Sequence, residues 1–158
     1  MDYNVGDQVI HSVFGPGEIL QLDKKEVSGK MNTYYMVKTN TLTLWVPIDN
    51  NGERSLRPLT PRSQFKKLFQ ILTGPGEPLT EDRLDRKAEL TERLRNGKIV
   101  SVCEVIRDLN QFNRKKKLND YDSAILDRAK NFLISEWMIS LSIPRQQAEK
   151  ELRELLER

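Results

Sequence analysis

Apolar positions alternate with polar ones through roughly the first fifty residues and recur every three to four residues from Pro61 onward. A period of two places successive side chains on opposite faces of a strand, and a period of 3.6 gathers them on one stripe of a helix. The chain therefore predicts a β module followed by a helical one. Residues 5–20, VGDQVIHSVFGPGEIL, predict the first hairpin: Val9 and Val13 share a strand face, Gly15-Pro16-Gly17 makes the corner, and residues 18–22 resume as strand. Asp23-Lys24-Lys25-Glu26 and Ser28-Gly29-Lys30 are charged and turn-rich, whereas Thr33-Tyr34-Tyr35-Met36-Val37 has the β-branched and aromatic content of a strand. Residues 41–46, TLTLWV, place Leu42 and Leu44 on one face and Thr41, Thr43 and Trp45 on the other, with Pro47 as the stop. Four or five short strands in about fifty residues predict a small SH3-like or Tudor-like β-barrel or curled sheet. An open sheet of that size has an edge, and the edge at residues 41–46 is a template for another protein's strand.

In the helical part, Phe65, Leu68, Phe69 and Leu72 form the first stripe, and residues 74–78, GPGEP, can only be loop. Thr80 predicts the N-cap of a second helix that stops near Asn96-Gly97, with Leu84, Leu90 and Leu94 as its apolar residues. Ile99, Val102, Cys103, Ile106 and Leu109 make a clean stripe, with Ser101, Glu104, Asp108 and Asn110 on the polar side. Asn119 and Asp120 offer caps to a long helix carrying Ile125, Leu126, Ala129, Phe132, Leu133 and Trp137. Ser142 predicts the cap of a last helix, with Pro144 in its first turn and Ala148, Leu152, Leu155 and Leu156 inside. The fold class is α+β: a small barrel over residues 1–60, an all-helical domain over 61–158, and two modest cores.

Composition narrows the function. With 37 % hydrophobic and 31 % charged residues among 158, and no run of some 18 to 20 apolar residues, the chain reads as a soluble cytoplasmic protein without a signal peptide. A single cysteine excludes an internal disulfide framework. The net charge of +3 is unevenly divided: residues 1–60 hold six Lys/Arg against seven Asp/Glu, so the excess lies in the helical part. Lys98, Arg107, Arg114, Lys115, Lys116 and Lys117 face only Glu104 and Asp108 across one stretch of it. Such a patch suits nucleic acid or a solvated face.

Catalytic chemistry is scarce. His11, the single histidine, lies in a strand pattern, and Cys103 lies on an apolar stripe, where a thiol is inert. Neither Gly15-Pro16-Gly17 nor Gly74-Pro75-Gly76 carries the lysine and hydroxyl of a phosphate loop. The expectation is a non-enzymatic protein with no cofactor and no metal.

The ordered set VGDQVIHSVFGPGEILQL, the SGK turn, YYMVK, LTLWVP and EVIRDL resembles the CarD/CdnL family of bacterial transcription regulators, over nearly the whole chain. The resemblance implies that the first module is similar to the RNA polymerase interaction domain shared with transcription-repair coupling factor. It implies that this module grips the lobe of the polymerase β subunit by strand addition. The helical domain would meet upstream promoter DNA near the melting fork and so modulate open-complex stability. Lys25 and Trp45 match positions where relatives place polymerase-contacting residues, commonly arginines, and with Thr41, Thr43, Val46 and Pro47 they make the expected polymerase-binding set. Relatives carry a tryptophan wedge at the start of the helix after the Pro-rich loop, but this chain has Asp82 there, and a carboxylate near phosphates is repelled. What remains for DNA is charge: Arg83, Arg86, Lys87, Arg114, Lys115, Lys116 and Lys117, giving weak, non-specific contact. The expected partners are the RNA polymerase β subunit and promoter DNA, with no membrane and the protein a monomer. The alternative is an adaptor that binds polymerase or another protein and has no DNA function.

Overall fold

Five strands, β1 (Gln8–His11), β2 (Gly15–Val27), β3 (Lys30–Thr39), β4 (Thr43–Pro47) and β5 (Leu56–Pro58), pair antiparallel in the order β4-β3-β2-β1-β5. The computed structural model describes residues 3–48 and 55–158. The strands belong to one unit, Met1–Leu59, and the helices to a second, Thr60–Arg158. The sheet's core is small: Val9, Ile19, Tyr35, Val37, Val46 and Leu56 pack together on one face, at alternate positions of their strands.

The first turn differs from the expectation. Gly15-Pro16-Gly17 is not a corner but the start of β2, paired with His11, Ile10 and Val9 of β1. The turn is residues 12–14, where His11 Nδ1 accepts from the Val13 and Phe14 N–H groups at 3.1 and 3.2 Å. Val13 accordingly leaves the strand and is exposed, while Val9 is buried. Gly17 serves a close approach instead: a Cβ there would stand 2.7 Å from Val37 Cγ1 on β3. The charged run at Asp23 to Glu26 is likewise strand, and only Ser28-Gly29, both at positive φ, turn the chain into β3.

The second unit holds α1 (Phe65–Thr73), α2 (Arg83–Leu94), α3 (Ile99–Lys115), α4 (Asp120–Ser140) and α5 (Arg145–Leu156). Val102, Cys103, Ile106 and Leu109 of α3 are buried against α1, α2 and α4, as their spacing predicts. Trp137 is fully buried, its ring 6.1 Å from Phe65 and 5.0 Å from Phe69.

Four local expectations are corrected. The N-cap of α2 is Asp82, whose side chain accepts from the Asp85 N–H, and Thr80 Oγ1 instead donates to Glu89. Leu84 is exposed rather than inward. Asp108, on the expected polar side of α3, is buried because Arg93 and Arg107 reach it at 2.8 and 2.9 Å and the Glu77 N–H donates to it at 2.9 Å. That last bond and one from the Gly76 N–H to Gln111 hold the glycine-proline loop on α3. At the far end, Pro144 rather than Ser142 precedes α5, and Ser142 takes a positive φ of 55°.

Candidate binding surfaces

The first surface is the outer rim of β4. In an antiparallel ladder, alternate residues aim both backbone groups at the neighbouring strand. The Ile48 N–H to Thr33 O bond at 3.1 Å and the Thr39 N–H to Leu42 O bond at 2.8 Å set the phase. Leu44 and Val46 thus face Val37 and Tyr35, while Thr43, Trp45 and Pro47 turn their backbone groups away from β3. Pro47 has no N–H to leave unsatisfied there. The rim so exposes the N–H and C=O of Thr43 and Trp45 and the C=O of Pro47. Among the described strands, β4 is hydrogen-bonded only to β3.

Side chains follow the same alternation. Leu44 and Val46 point toward the core, and Trp45 lies on the opposite face, 41 % exposed. The Trp45 indole is held across the sheet: its Nε1 donates to Asp23 at 2.9 Å, and Lys25 Nζ stands 3.7 Å from the ring centroid. Lys25 and Trp45, singled out separately from the sequence, form one cluster. Thr41 lies in the turn before β4, which Thr39 Oγ1 closes by bonding both backbone groups of Leu42 at 3.1 Å. Val46 has its side chain in the core and its backbone toward Tyr35, so it offers a partner neither.

The second surface is basic. Arg83, Lys87, Lys115, Lys116 and Lys117 are exposed. Arg86 is not, and its expected phosphate contact is withdrawn. Its Nε and Nη2 donate to both carboxylate oxygens of Asp122 at 3.0 and 2.9 Å, and its Nη1 donates to the Thr80 and Glu81 carbonyls at 3.0 Å each. The guanidinium also lies over Phe112 at 4.7 Å, and the bond to Asp122 raises its pKa further above the ordinary arginine value. Arg114 is exposed but donates to the Leu156 carbonyl near the end of α5 at 2.6 Å, a cation on the negative end of a helix. Sequence reasoning missed Tyr121, exposed at the start of α4 with Lys87 Nζ 4.0 Å from its centroid. The available signal was an aromatic residue in the first turn of α4, one turn before Ile125.

Other chemistry is sparse. Among the described residues no group of three His, Cys, Asp or Glu is placed to hold a metal, and no helix is long and apolar enough to cross a membrane. A cavity of about 500 Å³ beside α3, α4 and α5 mixes acids (Asp127, Glu149) with bases (Lys130, Arg153), and Glu149 is already paired with Arg145 at 3.1 Å.

Comparison with known proteins bears on both units. Residues 3–60 match the CarD-like/TRCF RID domain, and residues 67–153 match the CarD C-terminal domain. The chain is 27 % identical over 148 residues to YdeB of Bacillus subtilis (strain 168), named as a candidate transcription factor; the alignment covers 92 % of this chain and 96 % of that protein.

Proposed function

The chain belongs to the CarD family, and from that premise we propose that it is a monomeric transcription regulator that binds the lobe of the RNA polymerase β subunit and alters the lifetime of the promoter open complex. The observation that carries the reading is the rim of β4, where Thr43, Trp45 and Pro47 turn backbone groups away from β3. An incoming strand completes that ladder without breaking one already made, and each bond formed contributes on the order of 1 kcal/mol. Trp45, braced by Asp23 and Lys25, supplies the large side chain that anchors such an interface.

The helical unit then meets DNA through Arg83, Lys87, Lys115, Lys116 and Lys117, which hold phosphates without reading sequence. Weak contact suffices, because attachment to polymerase raises the local concentration of DNA. Val46 and Arg86 have no part in either contact, since both are occupied inside their units. The adaptor alternative draws on Asp82, a carboxylate at the start of α2 immediately before Arg83.

Retention on immobilised β-subunit lobe tests the first half. The unmodified protein is retained, and Trp45→Glu and Thr43→Pro weaken retention at least tenfold, the second by removing an N–H that β3 does not use. Absence of retention of the unmodified protein overturns the reading. Promoter opening by purified polymerase, with forked promoter DNA titrated at low and moderate salt, tests the second half. Salt-sensitive DNA contact supports the regulator, and no DNA contact at low salt with polymerase bound leaves the adaptor.

A further inference from the structure

Two consecutive residues of α2 meet two consecutive residues of α4. Arg86 binds Asp122 in the interior, and Lys87 lies over Tyr121 at the surface. The interior pair is a two-point, charge-assisted contact with side chains 4 % and 1 % exposed, so it fixes how the starts of the two helices approach one another. The outer pair inherits that order. Tyr121 is nonetheless 53 % exposed, a large aromatic surface held in place and left in water.

Its surroundings carry both signs, with the cations in small excess. Lys117 precedes Tyr121 by four residues, which a chain spans in at most about 14 Å, and Lys115 and Lys116 lie just before it. Arg83 stands one turn before Lys87 on α2, and Leu84 beside it is 66 % exposed. Glu81, Asp82, Asp85 and Asp120 share the neighbourhood and reduce the net field.

We propose that Tyr121 is a stacking platform for an unpaired base of a DNA strand, the base lying on the ring face opposite Lys87 and the flanking phosphates meeting Lys87 and Lys117. The inference rests on the DNA reading above and adds the form of DNA that is preferred. An intact duplex shows its phosphates outward and hides its base faces in the stack, so it uses the lysines and leaves the ring idle. An unpaired strand offers both, and any base has a face to stack, which keeps the contact tolerant of sequence. Acidic side chains would meet the same lysines but have no aromatic face to stack on the ring. The nearby carboxylates make the contact weak, and salt weakens it further.

Fluorescence anisotropy with the full chain at low salt tests this, using labelled oligothymidine of about 12 nucleotides, a blunt duplex of equal length, and a forked duplex. The single strand and the fork bind more tightly than the blunt duplex. Tyr121→Ala lowers single-strand affinity roughly 5- to 100-fold and changes blunt-duplex affinity by less than about twofold, whereas Tyr121→Phe retains both. The proposal is overturned if Tyr121→Ala has no effect, or if it lowers both affinities equally, because the ring would then only prop up Lys87. It is also overturned if polyglutamate of matched charge displaces the strand as well as unlabelled oligothymidine does. Blunt-duplex binding without preference for the single strand defeats the stacking alone. Failure of every DNA form to bind defeats the DNA reading with it.

Discussion

Arg86 and Asp122 meet at two points, 3.0 and 2.9 Å, at the junction of α2 and α4, and Asp122 at the same time closes the capping box of α4 with Asn119. One carboxylate therefore orders a helix start and a helix packing. Removing it strands a buried guanidinium, so Asp122→Ala destabilises the helical unit by about 3–5 kcal/mol. Joint replacement, Arg86→Met with Asp122→Leu, removes both charges and recovers much of that loss, the lost cap excepted. Urea unfolding of the unmodified protein and the two variants checks the order; a double variant no better than Asp122→Ala would mean that the cap, not the ion pair, dominates.

Gly17→Ala tests the close approach of β2 and β3. The added methyl meets Val37 Cγ1 at 2.7 Å and the Lys38 carbonyl at 3.1 Å, and Val37 is fully buried with no space to yield. The expected cost is about 1–3 kcal/mol. Val37→Ala in the same background recovers part of it, because the clash and the cavity then offset one another. Thermal unfolding of the pair gives the coupling.

The stripe of Val102, Cys103, Ile106 and Leu109 was legible because helical burial follows the local period. The ion pairs were not. Arg86 and Asp108 look like surface charges in their own helices, and partners outside those helices, Asp122 for the first and Arg93 and the Glu77 N–H for the second, help to make their burial tolerable. The turn at residues 12–14 comes just before Gly15-Pro16-Gly17, whose own turn propensity is local, while the pairing of Gly17 with Thr39 on β3 is not. Lys25 and Trp45 were each identifiable, but their contact depends on the register of three strands and on the irregularity between Ile19 and Gln21. Tyr121 stands one turn before Ile125, so its period alone suggests a core residue, whereas it is 53 % exposed.

Cys103 is the simplest chemical probe of the helical core. Burial, reinforced by Glu136 and Glu104, pushes its thiol up to about 12. At pH 8 the thiolate is therefore a minute fraction, and the side chain has no exposed surface. A disulfide reagent leaves the native protein unlabelled over the time that labels the urea-unfolded chain completely. Rapid native labelling would show that α3 opens locally.

His11 gives the sheet a dependence on acid. Burial lowers its pKa below the ordinary 6.5, so the fold favours the neutral ring, whose Nδ1 accepts from Val13 and Phe14. A lowered pKa means that the contribution is complete above 6.5 and is lost as the pH falls through the lowered value. Protonation converts Nδ1 into a donor and breaks both bonds. The Val13 and Phe14 amide resonances shift together in that window, and His11→Ala removes the step. An acid transition unchanged in His11→Ala would belong to carboxylates instead.

Asp82 and Leu84 separate capping from DNA contact at the start of α2. Asp82→Trp would place an apolar ring at the start of α2, but it also removes the bond to the Asp85 N–H, at about 0.5–2 kcal/mol. Leu84 lies two residues on, 66 % exposed, with no role in the cap. Leu84→Trp therefore adds aromatic surface on an intact helix, and apolar side chains of that kind insert at base steps. The expected result is a longer open-complex lifetime for Leu84→Trp than for the unmodified protein, with Leu84→Glu shortening it by adding a charge that phosphates repel. Thermal unfolding identifies any loss that comes from the helix itself. Equal lifetimes for all three would place the DNA away from this end of α2 and leave the lysines after α3 to make the contact.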